Sequence, residues 1–277
     1  MHQPFDLFNA AASAALAVTA SLVPFTQAAA DTPTEQPASG GILGDHTDIV
    51  VGLGAGIDQR YMGAGDFRPL VLPVFNISRG VFFLDSVRGA GVQYQSASGF
   101  YVAEALNYDL GRADRNSFFQ PGSDHLRRMG EVKGTVTNVL TLAQQLTPWL
   151  QINAQAEFGL DNGRGNQYQA GLESVVLKTP HDSITLDLDA KWGDGQYNRT
   201  YFGVTTAQSQ SSRFARFEPG SGLYAGVLAG TWSHTFDKHW SAQLALGGAF
   251  YLDKVADSPI VQQKVGITVF PSVSYTF

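Results

Sequence analysis

Histidines beside a hydroxyl or a carboxylate are the groups in this chain with most capacity for chemistry. Beyond residue 30 the histidines are His46, His125, His181, His234 and His239. Acyl transfer or proteolysis needs one of them within hydrogen-bond reach of a nucleophile or an orienting acid. His181 and His239 fall in expected periplasmic turns, His46 in the leader to the first strand and His234 near the periplasmic end of its strand; only His125, beside Ser123 and Asp124, lies at an outer loop. Proximity along a loop does not make a triad, so no catalytic residue is expected. The chain has no cysteine, which removes thiol chemistry and disulfides. Gly52-x-Gly54-x-Gly56 has the spelling of a dinucleotide loop, but a polar loop follows it instead of the required helix. No cofactor and no metal are expected. A second group, Asp187, Asp189 and Lys191, alternates along one strand, and Glu157 lies on the polar face of another. Their bland reading, lumen hydrogen bonding with a compensating lysine, is preferred to an ion path.

The elements that would carry these groups are strands. From Val265 to Phe277 every second residue is apolar, with Gly, Thr and Ser between and Phe270 the one exception. This is a period-two strand ending on an aromatic, the form of the closing strand of an outer-membrane barrel. The same alternation is read in Ile49–Ile57, Leu70–Ile77, Val81–Asp85, Gly89–Gln95, Phe100–Leu110, Glu131–Leu142, Leu150–Leu160, Ser183–Trp192, Leu223–Phe236 and Trp240–Leu252. In Gln167–Lys178 the pattern is blurred. Glu104 falls on the apolar face of its strand, where a charge facing lipid is costly and a bulge is expected to re-aim it.

Composition agrees with a barrel. Charged residues make up 15% of the chain, below the usual ~25% of soluble domains. Aromatics reach 12% with 30 glycines, and no apolar run reaches the ~18 residues of a spanning helix. A net charge of −6 gives no nucleic-acid footprint. Connections alternate in length. Ser96–Ser98, Gln145–Trp149, Thr179–Asp182 and Asp237–His239 are short, whereas Gly111–His125, Asp161–Asn166, Gly193–Ser221 and Asp253–Lys264 are longer. Short periplasmic turns with long extracellular loops are the outer-membrane arrangement. Parity then predicts an all-β transmembrane antiparallel barrel of about 12 strands, or about 10 if the short third strand and a neighbour do not pair. Residues 1–30 read as a secretory signal, despite lacking Lys or Arg before the apolar stretch. Residues 31–46 read as a flexible leader and 47–277 as the barrel. The expected location is the Gram-negative outer membrane, reached through the Sec system.

Four segments give a further indication: Tyr61-Met62-Gly63 followed by Leu72-Pro73; Tyr108-x-x-Gly111-Arg112; Tyr201-Phe202-Gly203-Val204-Thr205; and Asp257-Ser258-Pro259-Ile260-Val261. In order and spacing, from Ile49 to Phe277, they resemble the MipA/OmpV family of outer-membrane proteins. Asp58 and Ala64 depart from the family's usual Pro and Ser in the first motif. The resemblance implies an outer-membrane barrel. It also implies, from the family's best-known member, a non-enzymatic scaffold joining a lytic transglycosylase to a bifunctional murein synthase. Other members are known as porin-like proteins or surface antigens, which is the alternative. For a scaffold, the expected contacts are the periplasmic turns: Gln145, Thr147, Pro148, His181, Asp182, Asp237, Lys238 and His239. On the outer rim, Arg127, Arg128, Arg164, Arg213 and Arg216, with Arg112, Arg115 and Arg199, are candidates to meet lipopolysaccharide phosphates, which suit a guanidinium fork. Ion pairing of these arginines within the loops is the competing expectation.

Overall fold

The computed structural model describes residues 42–161 and 163–277. The signal expected at 1–30 and most of the leader lie outside the described residues. The strands are β1 (Thr47–Gln59), β2 (Phe67–Arg79), β3 (Phe82–Asp85), β4 (Gly89–Gln95), β5 (Phe100–Asp109), β6 (Thr135–Thr147), β7 (Leu150–Gly159), β8 (Asn166–Lys178), β9 (Asp182–Gly193), β10 (Gly222–Thr235), β11 (Trp240–Tyr251) and β12 (Val265–Thr276). Each pairs antiparallel with its sequence neighbours, and β1 closes on β12 from Val50↔Thr276 to Ile57↔Val269. The result is a closed barrel of 12 strands with no open edge. Four residues decide 12 over 10, because β3 pairs with both β2 and β4. No helix among the described residues is long and apolar enough to cross a membrane; the strands do the crossing.

Alternation sets the two faces. Outward side chains such as Leu53, Leu188 and Leu228 are more than half exposed, whereas inward Asn76, Gln151, Thr185, Gln243 and Ser272 are buried. This inverts a soluble protein and matches a lipid-facing wall. Phe236, Trp240 and Phe277 stand exposed near the rim of short turns, and Tyr168 and Trp192 near the other, as membrane-interface aromatics do.

Several boundaries differ from expectation, each for a local reason. The blurred alternation in β8 comes from a register shift between Val175 and Leu177. β6 starts at Thr135 rather than Glu131, because Val132 pairs instead with Arg112 in a separate outer bridge. Gln145 and Thr147 belong to the end of β6, with the register shifting between them, so the turn shrinks towards Pro148 and Trp149. No bulge moves Glu104: pairing of β5 with β4 and β6 runs without a shift, and the side chain stays on the outer face. Phe270, the break in the last strand's alternation, keeps its register position and points inward, 1% exposed, against Leu70 and Val74. The long stretch expected as a loop at 193–221 contains two helices, α1 (Gly195–Phe202) and α2 (Thr206–Ser211).

Candidate functional site

The outer mouth is closed by a folded lid. Asp194 starts α1, its carboxylate accepting from Tyr197 N at 2.7 Å and from Asn166 N at 2.9 Å, a helix N-cap tied to β8. Tyr197 and Tyr201, four residues apart, share one face of α1. With Phe202 they enter the mouth and pack on Tyr224 and Tyr251 of the wall. Burial holds the Tyr197 and Tyr201 hydroxyls well above the ordinary phenol range. Above this layer Tyr61, Leu126, Met129, Val204, Phe214 and Ile260, drawn from four different connections, form a second apolar cluster. The lid thus has a core of its own.

The four segments noted in the sequence converge here. Tyr61 donates its hydroxyl to Ile260 O at 2.7 Å. Ser258 donates to Phe202 O at 2.5 Å. Arg112, 3% exposed, donates to Tyr201 O at 2.6 Å. Gln262 N donates to Gly63 O at 2.7 Å. None of these contacts follows from spacing along the chain, because the partners are brought together only by barrel closure.

Arg164 belongs to the same assembly. It was expected on the outer rim, but it is 4% exposed and inside the mouth. Its guanidinium donates to Asp109 and, at 2.7 Å, to Glu157, and lies over the Tyr197 ring. Buried between two carboxylates, it holds the wall to the lid and is not free for glycolipid. Arg112 is likewise buried and spent on the Tyr201 carbonyl, whereas Arg115, Arg127, Arg128, Arg199, Arg213 and Arg216 are exposed. Arg127 pairs with Asp124 at 3.4 Å, Arg216 with Glu218 at 2.9 Å, and Arg115 with Glu131 at 3.2 Å. Arg199 donates to Gln196 at 3.1 Å, and Arg213 turns back onto His125 and Phe214.

Below the lid the inner wall is divided. On β7, β8 and β9, Gln151, Glu173 and Asp187 lie side by side in one register row, with Asn153, Gly171 and Asp189 in the next. Lys191 stands two residues beyond Asp189, and Gln169 donates to Asp189 at 3.0 Å. Gly171 makes room for this row, since a Cβ there would lie 1.9 Å from an Asp189 oxygen. Glu157, Asp187, Asp189 and Lys191 all point inward, and both Asp187 oxygens find no hydrogen-bond partner among the described residues. Glu173, 2% exposed beside them, is not among the residues singled out from the sequence, although it continues the inward parity of Gln167 and Gln169 ahead of the β8 register shift. The β1–β2–β12 side carries an apolar patch of Leu70, Val74 and Phe270, where Gly54 leaves space for the ring, with buried Asp58, Arg68 and Thr268 towards the lid and Asn76, Ser272 and Ser274 towards the other rim. The lumen is therefore not uniformly polar. No group of three or more His, Asp or Glu among the described residues could hold a metal ion.

Each histidine ring among the described residues has a structural partner. His46 meets Asp48, His234 meets Asp182 at 2.8 Å, and His181 and His239 meet the carbonyls of Thr235 and Thr276. His125 meets Arg213, and Ser123 Oγ instead accepts from His125 N at 3.2 Å as a cap. Among the described residues no histidine meets a nucleophilic hydroxyl. Burial, then the Arg213 charge, lowers the His125 pKa below the usual 6.5. Its neutral packing therefore supports the lid above pH 6.5 and is lost as pH falls through the lowered folded value. Proteolysis of residues 205–218 is expected to be faster at about pH 5 than at about pH 7.5. The difference should vanish in His125→Gln; equal cleavage of the parent at both pH values would remove His125 as the cause.

At the opposite rim the short turns stand side by side. Pro148, His181, Asp237 and Lys238 are exposed, and Gln145, Thr147, Asp182 and His239 are partly so. Asp237 accepts from Trp240 N and His239 N, and these two bonds hold its carboxyl below the usual carboxylate range. Asp182 accepts from Trp232 and His234. The turns are thus stiffened by their own acids.

Among solved structures the chain is similar to the NanC porin, with 6% identity over 82% of this chain and 98% of that one at a TM-score of 0.44. An outer-membrane channel from Pseudomonas putida F1 shows 11% identity over 83% and 94%, also at 0.44. The Ralstonia pickettii toluene transporter TbuX shows 10% identity over 87% and 92% at 0.38. No curated protein matches the chain. The model of the family described as MltA-interacting protein MipA matches residues 51–277. That match takes in all of the barrel beyond the first four residues of β1 and every segment of the lid, and the chain belongs to the MltA-interacting protein MipA family.

Proposed function

We propose that this outer-membrane barrel is a non-enzymatic scaffold whose periplasmic rim gathers murein-processing enzymes, a lytic transglycosylase and a bifunctional murein synthase. The carrying observation is where the family segments go: Tyr61, Arg112, Phe202 and Ser258 are spent on locking the outer mouth. A barrel sealed by a lid with its own core suits attachment better than passage. The family description, MltA-interacting, supports a partner on the murein side. Pro148, His181, Asp237 and Lys238, held on stiff adjacent turns, offer a preformed contact surface with little ordering cost. Export through the Sec system completes the reading.

Pull-down of murein enzymes from detergent extracts tests it. A variant carrying Pro148→Gly, His181→Ala and Lys238→Glu should recover several-fold less transglycosylase and synthase than the parent. Equal recovery by both removes this rim as the docking surface. Stepwise conductance from the unmodified protein in a planar bilayer would move the assignment to the porin-like alternative.

A further inference from the structure

The outer wall carries one polar pair in the middle of its apolar band. Glu104 of β5 accepts from Asn138 Nδ2 of β6 at 3.0 Å, on the lipid-facing side. On the same face of β5, Phe100 and Tyr108 stand four residues to either side of Glu104, about 14 Å along the strand at the usual rise. The carboxylate is therefore midway between the aromatic belts. At comparable positions other strands present Leu53, Leu172, Leu188, Leu228 and Leu246, all exposed. A carboxylate at this depth is costly in hydrocarbon, and the side chain has no bulge or long stem with which to reach an interface.

The internal bond leaves both residues half used. Asn138 keeps its second N–H and its carbonyl oxygen, and Glu104 keeps Oε2; none has a further hydrogen bond among the described residues. A lipid acyl chain offers nothing to them. A two-fold axis beside the pair would set the spare N–H of one Asn138 against the spare oxygen of the other copy's Glu104, and the reverse. Such an isologous contact satisfies four of the six spare groups of the two copies with one surface. Val92, Leu106 and Leu140 around the pair are exposed and apolar, so the rest of the contact is carbon on carbon, as between membrane segments held by a polar pair. We infer that the β4–β5–β6 wall is the interface of a homodimer in the membrane, centred on Glu104 and Asn138. This goes beyond the scaffold reading and does not depend on it.

The chain lacks cysteine, so single cysteines report the geometry. Leu106→Cys lies on the proposed face and Leu246→Cys on the opposite wall. Full-length protein in lipid vesicles should cross-link to a dimer through Leu106→Cys and not through Leu246→Cys. Adding Glu104→Leu and Asn138→Leu should reduce that product by about tenfold, while heat-modifiable gel mobility shows that the barrel remains folded. Monomer throughout, equal cross-linking at both walls, or an unchanged product in the double-leucine background would overturn the interface. Cross-linking in native membranes to a different protein instead of a second copy would overturn the homodimer.

Discussion

Arg164→Ala is expected to lower the unfolding free energy by about 3–5 kcal/mol, the range seen when one partner of a buried ion network is removed. Three observations put it at this end of the scale. The side chain is 4% exposed, so solvent cannot replace its contacts. It bridges Asp109 at the end of β5 to Glu157 on β7, two carboxylates left facing each other without it. Tyr201 donates to the same Asp109 oxygen at 2.5 Å, so the loss reaches α1. Burial opposes the guanidinium charge, but Glu157, Tyr197 and Asp109 outweigh it and hold the pKa above the usual arginine value. Denaturant titration in micelles measures the change, and protease cleavage within 195–218 reports the lid directly. Arg164→Lys should recover part of the stability, since it restores the charge without the fork. A loss for Arg164→Ala of no more than about 1 kcal/mol, the range of an exposed ion pair, would mean that the lid is held elsewhere.

The second large effect lies in the apolar patch of the lumen wall. A Cβ at Gly54 would stand 2.2 Å from Phe270 Cζ, and the ring is packed on Leu70 and Val74. Gly54→Ala should therefore cost about 1–3 kcal/mol by overpacking. Phe270→Ala should cost about 3–5 kcal/mol by opening a cavity. Combined, the two should cost clearly less than their sum, because the new methyl enters the space that the ring vacates, giving a coupling of about 1 kcal/mol or more. Strict additivity in a double-mutant cycle would show that the residues do not compete for one volume. This contact also gives a physical reason for glycine at position 54 in the Gly52-x-Gly54-x-Gly56 run: the closing strand's phenyl ring crosses to it.

The sequence by itself determined the class of architecture, the facing of most side chains and the rim to which each connection belongs. The reason is that strand periodicity is local: residue i and residue i+2 share a face whatever the rest of the chain does. Glu157, Asp187, Asp189 and Lys191 could thus be assigned to the interior, and Glu104 to the apolar face, from alternation alone. Where alternation fails, at the end of β8, the cause is a bulge between Val175 and Leu177 that only pairing with β9 reveals, whereas Glu173, ahead of it, keeps the inward parity of Gln167 and Gln169.

Tertiary structure alone decided what the outer connections do. Tyr61 and Ile260 are 199 residues apart, and Arg112 and Tyr201 are 89 apart. No periodicity encodes such contacts; they exist because closure of β1 on β12 brings the loops over one opening. The same closure turned Arg164 from an expected surface charge into a buried tie, and set the Phe270 ring against Leu70 and Val74 inside the barrel. It also settled the number of strands, because β3 has only four residues and is a strand by virtue of β2 and β4 on either side. In this protein the wall follows from residue spacing, whereas the lid follows from long-range packing that becomes available once the wall has closed.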